Sequence, residues 1–148
     1  MLHLLIHMER AEGPLTSDAA AVMLNSNPVV VRRTMAGLRD AGYVTSVKGH
    51  GGGWSLTRSL ASITMLDVHR ALGANRIFAL GPANPAPDCL VEQAVNGSLE
   101  GAMRQAEAAL LRRLGEVTLA DIAADFDRRL VDLSPEKIAE RRRAPQQR

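Results

Sequence analysis

Apolar residues recur at helical spacing along most of this chain and give way to β-prone runs in only two places. Leu2, Leu5, Ile6 and Met8 form part of a stripe that predicts a first helix ending near Glu12-Gly13-Pro14, a stop signal. The pattern opens in mid-stripe, which leaves open a start upstream of Met1. Thr16 or Ser17 can cap a second helix with Asp18 in its first turn, and Ala20, Ala21 and Leu24 give it a small apolar face. Asn25-Ser26-Asn27 is turn chemistry, and Asn27 before Pro28 is a good cap with proline at the first helical position. A third helix then runs to about Ala41 with Val31, Met35 and Leu38 on its buried side, and Gly42 ends it.

Residues 43–47 and 54–56 are β-prone, and the glycine-rich loop 48–53 between them predicts a hairpin with positive φ angles. Another helix is expected over 65–72, with Asp67 near its start. Residues 73–88 hold Pro82, Pro85 and Pro87 and read as a loop or linker. A long helix follows, starting near Pro87-Asp88 or after Asn96-Gly97, and carrying the stripe Leu99, Ala102, Met103, Ala106, Leu110 and Leu114. A final short helix opens at Val117-Thr118 and passes through Phe126 and Leu130, before a basic tail.

The expected fold is therefore mainly α with a small β-hairpin wing. A winged helix-turn-helix occupies 1–72, a linker with Cys89 73–98, the long helix and the final helix 99–134, and the tail 135–148.

Charge sharpens this outline. Between Ser26 and Arg58 the basic residues Arg32, Arg33, Arg39, Lys48 and Arg58 face one acid, Asp40. About a fifth of the chain thus carries +4, while the whole carries +2. A positive patch confined to one small motif is the footprint of a phosphate backbone. The N-terminal end of a recognition helix faces base edges, which places Asn27, Val29, Val30, Arg32 and Arg33 there. The arginines can pair with guanine or hold phosphates, and the valines can touch a thymine methyl or pack inward. Thr16 and Ser17 serve as caps, as phosphate donors, or as both. In the wing, Lys48 and His50 supply donors, and Gly51 and Gly52 let the backbone approach DNA. Trp54 is expected to pack under the wing.

Other chemistry is thin. Cys89 is the only cysteine, so no disulfide forms within the chain, which fits a reducing cytoplasm. Near a helix start its thiol can become a reactive thiolate, against the opposing charge of Asp88. His3 and His7 stand four apart on a helix with no third ligand nearby, and His50 and His69 are not metal-spaced, so no metal site is expected. No catalytic set stands out, and the chain is not expected to be an enzyme. The apolar start is too short for a signal core and no stretch reaches the roughly 20 residues of a membrane span, so a cytoplasmic protein without membrane contact is expected.

The pieces VVVRRTMAGLRDAGYV, VKGHGGGWSLTR, ITMLDVHRALG and the late VTLADI resemble, in order and over most of residues 14–130, the Rrf-two family of winged-helix regulators. That resemblance implies a homodimeric transcription regulator, a repressor paired through the long helix, with the Leu99–Leu114 stripe as seam rather than monomer core. A two-fold dimer would read palindromic double-stranded DNA with half-sites about 34–36 Å apart or a multiple of it. Family members with an iron–sulfur cluster carry three cysteines before the long helix. Cys89 stands alone here, so the chain looks like the cluster-free, single-cysteine branch, with no cofactor expected. A signal would then act through Cys89 oxidation or through a small-molecule effector. The competing expectation is a winged helix that binds protein and has no specific DNA target.

Overall fold

The computed structural model describes residues 1–49, 51–73, 77–78 and 88–131. His50, the linker prolines and the basic tail lie outside the described residues. The chain orders as α1 (Leu2–Glu9), α2 (Ser17–Met23), α3 (Pro28–Asp40), β1 (Val44–Val47), β2 (Gly53–Leu56), a 3-10 turn (Leu60–Ser62), α4 (Met65–Ala71), α5 (Leu90–Glu116) and α6 (Leu119–Val131). It is mainly helical, with one two-stranded antiparallel hairpin that pairs Val44 with Leu56 and Val47 with Gly53.

α2 and α3 start where the caps predict. Thr16 Oγ1 accepts the Ala19 N–H at 3.1 Å, and Asn27 Oδ1 accepts that of Val29 at 2.7 Å. Gly42, at φ 78°, ends α3 in a left-handed cap, with the Tyr43 N–H returning to Leu38 O at 2.9 Å. One end differs. α1 stops at Glu9, short of Gly13, because its last turn tightens: Arg10 N–H bonds His7 O and Ala11 N–H bonds Met8 O.

The core is aliphatic and centred on α1, α3 and the 3-10 turn. Leu4, Leu5, Val31, Met35, Leu38, Leu60 and Ile63 are essentially closed to solvent. Gly37 lets α3 and α4 touch, since a Cβ there would run into the carbonyl oxygen of Ala71.

Two expectations about the C-terminal half need correction. α5 begins at Leu90, with Cys89 at its N-cap, and runs straight through Asn96-Gly97, so residues 90–98 are helix rather than linker. Each internal glycine costs a helix about 1 kcal/mol, and α5 absorbs Gly97, Gly101 and Gly115 within its 27 residues without a break. Nor does α6 group with α5. It folds back on the winged domain, burying Leu119 and Ala123 in the same core. Ile63-Thr64-Met65-Leu66-Asp67 and Val117-Thr118-Leu119-Ala120-Asp121 hold the same Thr-x-x-Asp capping box, and the two boxes meet across an antiparallel bridge. Leu119 N–H donates to Ile63 O and Met65 N–H to Val117 O, both at 2.9 Å. At the other end of α6, the Arg10 guanidinium meets Asp127 at 2.6 Å and lies 4.7 Å from the centre of the Phe126 ring.

Candidate nucleic-acid interface

α3 buries Val31, Met35 and Leu38 and so turns Val29, Val30, Arg32 and Arg33 outward. Val29 is 63% exposed and Val30 45%, so neither fills the core. The five cations of the basic stretch separate into two groups. Arg39 pairs with Asp40 at 2.9 Å, and Arg58 lies 5.6 Å from the centre of the Tyr43 ring. Arg32, Arg33 and Lys48 are exposed and have no ion pair among the described residues. These three supply the free positive charge, which an acidic backbone can neutralise.

Thr16, Ser17, Arg32 and Gly52 come together around one open cleft of about 220 Å³, between the start of α2, α3 and the wing. Sequence reading did not group Asp18, Ser46, Val47 and Trp54 into one site, and all four line this cleft. Ser46 carried a weak signal, being a polar position on an exposed strand face. Trp54 carried none, because its partner is 37 residues away: the indole N–H donates to Ser17 Oγ at 3.0 Å. Trp54 packs under the wing as expected, 8% exposed.

The loop glycines have distinct causes. Gly51 takes φ 80° in the turn. At Gly52 a Cβ would collide with Val47 O, and at Gly53 it would stand 2.7 Å from Leu15 O. Close backbone packing inside the wing therefore accounts for Gly52 and Gly53 without DNA. The Leu15 and Trp54 backbones exchange two hydrogen bonds of 2.9 Å, which tie the wing to the residue before the Thr16 cap.

Away from the cleft, α5 has no buried residue. Of its stripe, Leu99 is 61% and Leu110 37% exposed, Ala102 and Ala106 are open, and Met103 and Leu114 are half-buried. Cys89 is exposed, and the backbone N–H groups of Glu92 and Val91 at the start of α5 hold its thiol below the usual value. The His3 and His7 rings sit edge to face, 4.5 Å apart, and burial followed by the neighbouring His7 lowers the pKa of His3. Among the described residues no three His, Cys, Asp or Glu side chains converge as a metal site, and no helix is long and apolar enough to cross a membrane.

Comparison with known proteins agrees with this geometry. The profile of the Rrf2 family, described as an iron-dependent transcriptional regulator, matches residues 1–125. The Bacillus subtilis protein YwnA, named as an HTH-type transcriptional regulator, is 32% identical over 107 residues, covering 72% of this chain and 80% of its own. Among solved structures, CymR, the global cysteine regulator of B. subtilis, superposes with a TM-score of 0.58 at 26% identity, over 83% of this chain and 89% of its own. IscR of T. potens does so at 0.53 and 26%, over 84% and 77%. The exposed recognition helix, the wing and these likenesses converge: the chain belongs to the Rrf2 family and is a DNA-binding transcriptional regulator with a winged helix-turn-helix.

Proposed function

We propose that the chain works as a homodimer paired through α5 that represses transcription from a palindromic operator. Arg32 and Arg33 read or grip one major groove per subunit, and Val29 and Val30 stand where they can touch thymine methyls. Thr16, Ser17 and Lys48 hold the flanking backbone, with Gly51 and Gly52 at the wing and His50 kept from the sequence reading as a further donor. The single observation that carries this reading is that Arg32, Arg33 and Lys48, on α3 and the wing, are exposed and have no ion pair among the described residues. The seam is supported by the stripe of α5, since Leu99 is 61% exposed on a helix that has no fully buried residue.

No cofactor enters this proposal. The family's description names iron, but a conventional cluster held within one subunit needs several thiolates and Cys89 is the only cysteine of the chain. We read Cys89 instead as the candidate sensor, since an exposed thiol held toward thiolate is open to oxidation or to a mixed disulfide. A small-molecule effector is the other route to regulation. The protein is read as cytoplasmic and as a binder rather than an enzyme.

A gel shift of the full chain on its own promoter region, over a salt series, tests the proposal. Specific binding that weakens steeply with salt supports it. Equal affinity for every fragment would leave the protein-interaction reading in its place.

A further inference from the structure

We propose that Trp54 is a positioning residue for DNA binding: its indole N–H fixes the Ser17 hydroxyl as a donor into the cleft that faces the DNA backbone. The inference rests on the cleft between α2, α3 and the wing being the DNA side of the molecule.

Trp54 is the only tryptophan, and its ring is 8% exposed beneath β2. Burying an indole does not require its N–H to point anywhere useful, only to be satisfied. Here it is satisfied by Ser17 Oγ, at 3.0 Å, on the wall of the cleft that Arg32 also lines. A serine hydroxyl has one proton and two lone pairs. Once a lone pair is committed to the indole, the oxygen is held in place and its proton remains to be donated. A phosphate oxygen in the cleft is the acceptor that suits it, and the donation strengthens as the indole polarises the hydroxyl. Thr16, the adjacent hydroxyl, is held in the same way by the Ala19 N–H at 3.1 Å and keeps its own proton for the backbone, so the pair of hydroxyls is fixed from two sides.

The backbone makes the arrangement rigid. Leu15 and Trp54 exchange two hydrogen bonds of 2.9 Å, and Gly53 permits that approach because any Cβ would stand 2.7 Å from Leu15 O. Position 54 and position 17 therefore move together, and the wing and the start of α2 meet the backbone as one piece. Phosphate contacts of this kind position a protein without reading sequence.

Trp54→Phe keeps a buried ring and deletes the N–H, and Ser17→Ala deletes the acceptor. Binding of the full chain to its promoter fragment and to an unrelated duplex is measured by anisotropy across a salt series. Each variant is expected to bind both duplexes about tenfold more weakly, with an unchanged salt slope because no cation is lost. The double variant is expected to bind no more weakly than Ser17→Ala alone. Additive losses, or wild-type affinity in either single variant, overturn the proposal.

A second measurement does not depend on Trp54→Phe folding. The one indole N–H resonance should move downfield as DNA is added to the native protein and stay put in Ser17→Ala; an unmoved native signal overturns the proposal. Arg32→Ala is the control for the premise. If it too binds like wild type, the cleft is not the DNA side and the interface reading fails with it.

Discussion

Gly37→Ala separates two opposing effects of one methyl group. Within a helix, alanine in place of glycine stabilises by about 0.5–1 kcal/mol through the lost freedom of the unfolded chain. At Gly37 the new Cβ would meet the carbonyl oxygen of Ala71, with its carbon 3.5 Å away. Both atoms are backbone in the last turn of α4, so no side chain can swing aside. Ala71 cannot retreat without drawing Val68 out of the core, where it is 2% exposed. Overpacking against a backbone wall that cannot swing aside costs toward the upper end of about 1–3 kcal/mol, so the variant is expected to be less stable by about 2 kcal/mol net. In a chain of this size that lowers Tm by about 4–8 °C. Gly97→Ala is the control: it lies inside α5 with nothing within 4 Å of its Cβ, and the same substitution should raise stability there. Urea and thermal melts of both variants at fixed protein concentration give the answer. If Gly37→Ala matches the native protein or exceeds it, the close contact of α3 with α4 is wrong as described.

Arg32→Ala and Arg33→Ala should each weaken operator binding, and whichever pairs with guanine should lose about 1–3 kcal/mol of discrimination at one base position. Lys48→Ala should weaken all duplexes alike and flatten the salt dependence by about one counterion. Wild-type titrations from all three would remove the recognition assignment. Leu99→Glu with Leu110→Glu should convert a dimer to monomers in sedimentation velocity while leaving the circular dichroism of the winged domain intact; a persisting dimer would move the seam elsewhere. Cys89, its thiol held below the ordinary value by the N–H groups that start α5, should be alkylated faster at neutral pH than a free cysteine. The rate should level off at a lower pH, and a midpoint at the free value would refute the effect. Cys89→Ser should also keep its grip on DNA under peroxide where the native protein releases it, if this thiol is the sensor.

Local chemistry made much of the fold legible. Asn27-Pro28 marked the start of α3 to the residue, Thr16-Ser17 that of α2 to within one, and Gly42 the end of α3, because a cap is decided by side chains next to the backbone they satisfy. Val31, Met35 and Leu38 were legible as core for the same reason of short range. Long-range facts were not. The likeness of the boxes at Thr64 and Thr118 stands in plain view in the sequence, but nothing local says that the two face each other. Asn96-Gly97 resembled a break because the glycine penalty is easy to see and the continuity that outweighs it is not. At the proposed interface, charge and position alone single out Arg32 and Arg33, and the structure leaves both exposed. The pairing of Trp54 with Ser17, which sets how the wing meets α2, depended on folding two distant segments together.

The paired boxes that join α4 and α6 have a mechanical consequence. They tie the segment that leaves α5 to the start of α4, through Met65 N–H to Val117 O and Leu119 N–H to Ile63 O, and so fasten the C-terminal end of α5 to the winged domain. In a dimer joined along α5, the distance between the two reading heads is then set by the angle at which those long helices cross. Duplex DNA tolerates little error in that distance, since successive major-groove faces recur only about every 34 Å. In such a dimer, an input that turned one α5 by a small angle at its Cys89 end would be magnified along the 27-residue helix into a mis-spaced pair of α3 helices. Release of DNA would then require no change within the recognition helix itself.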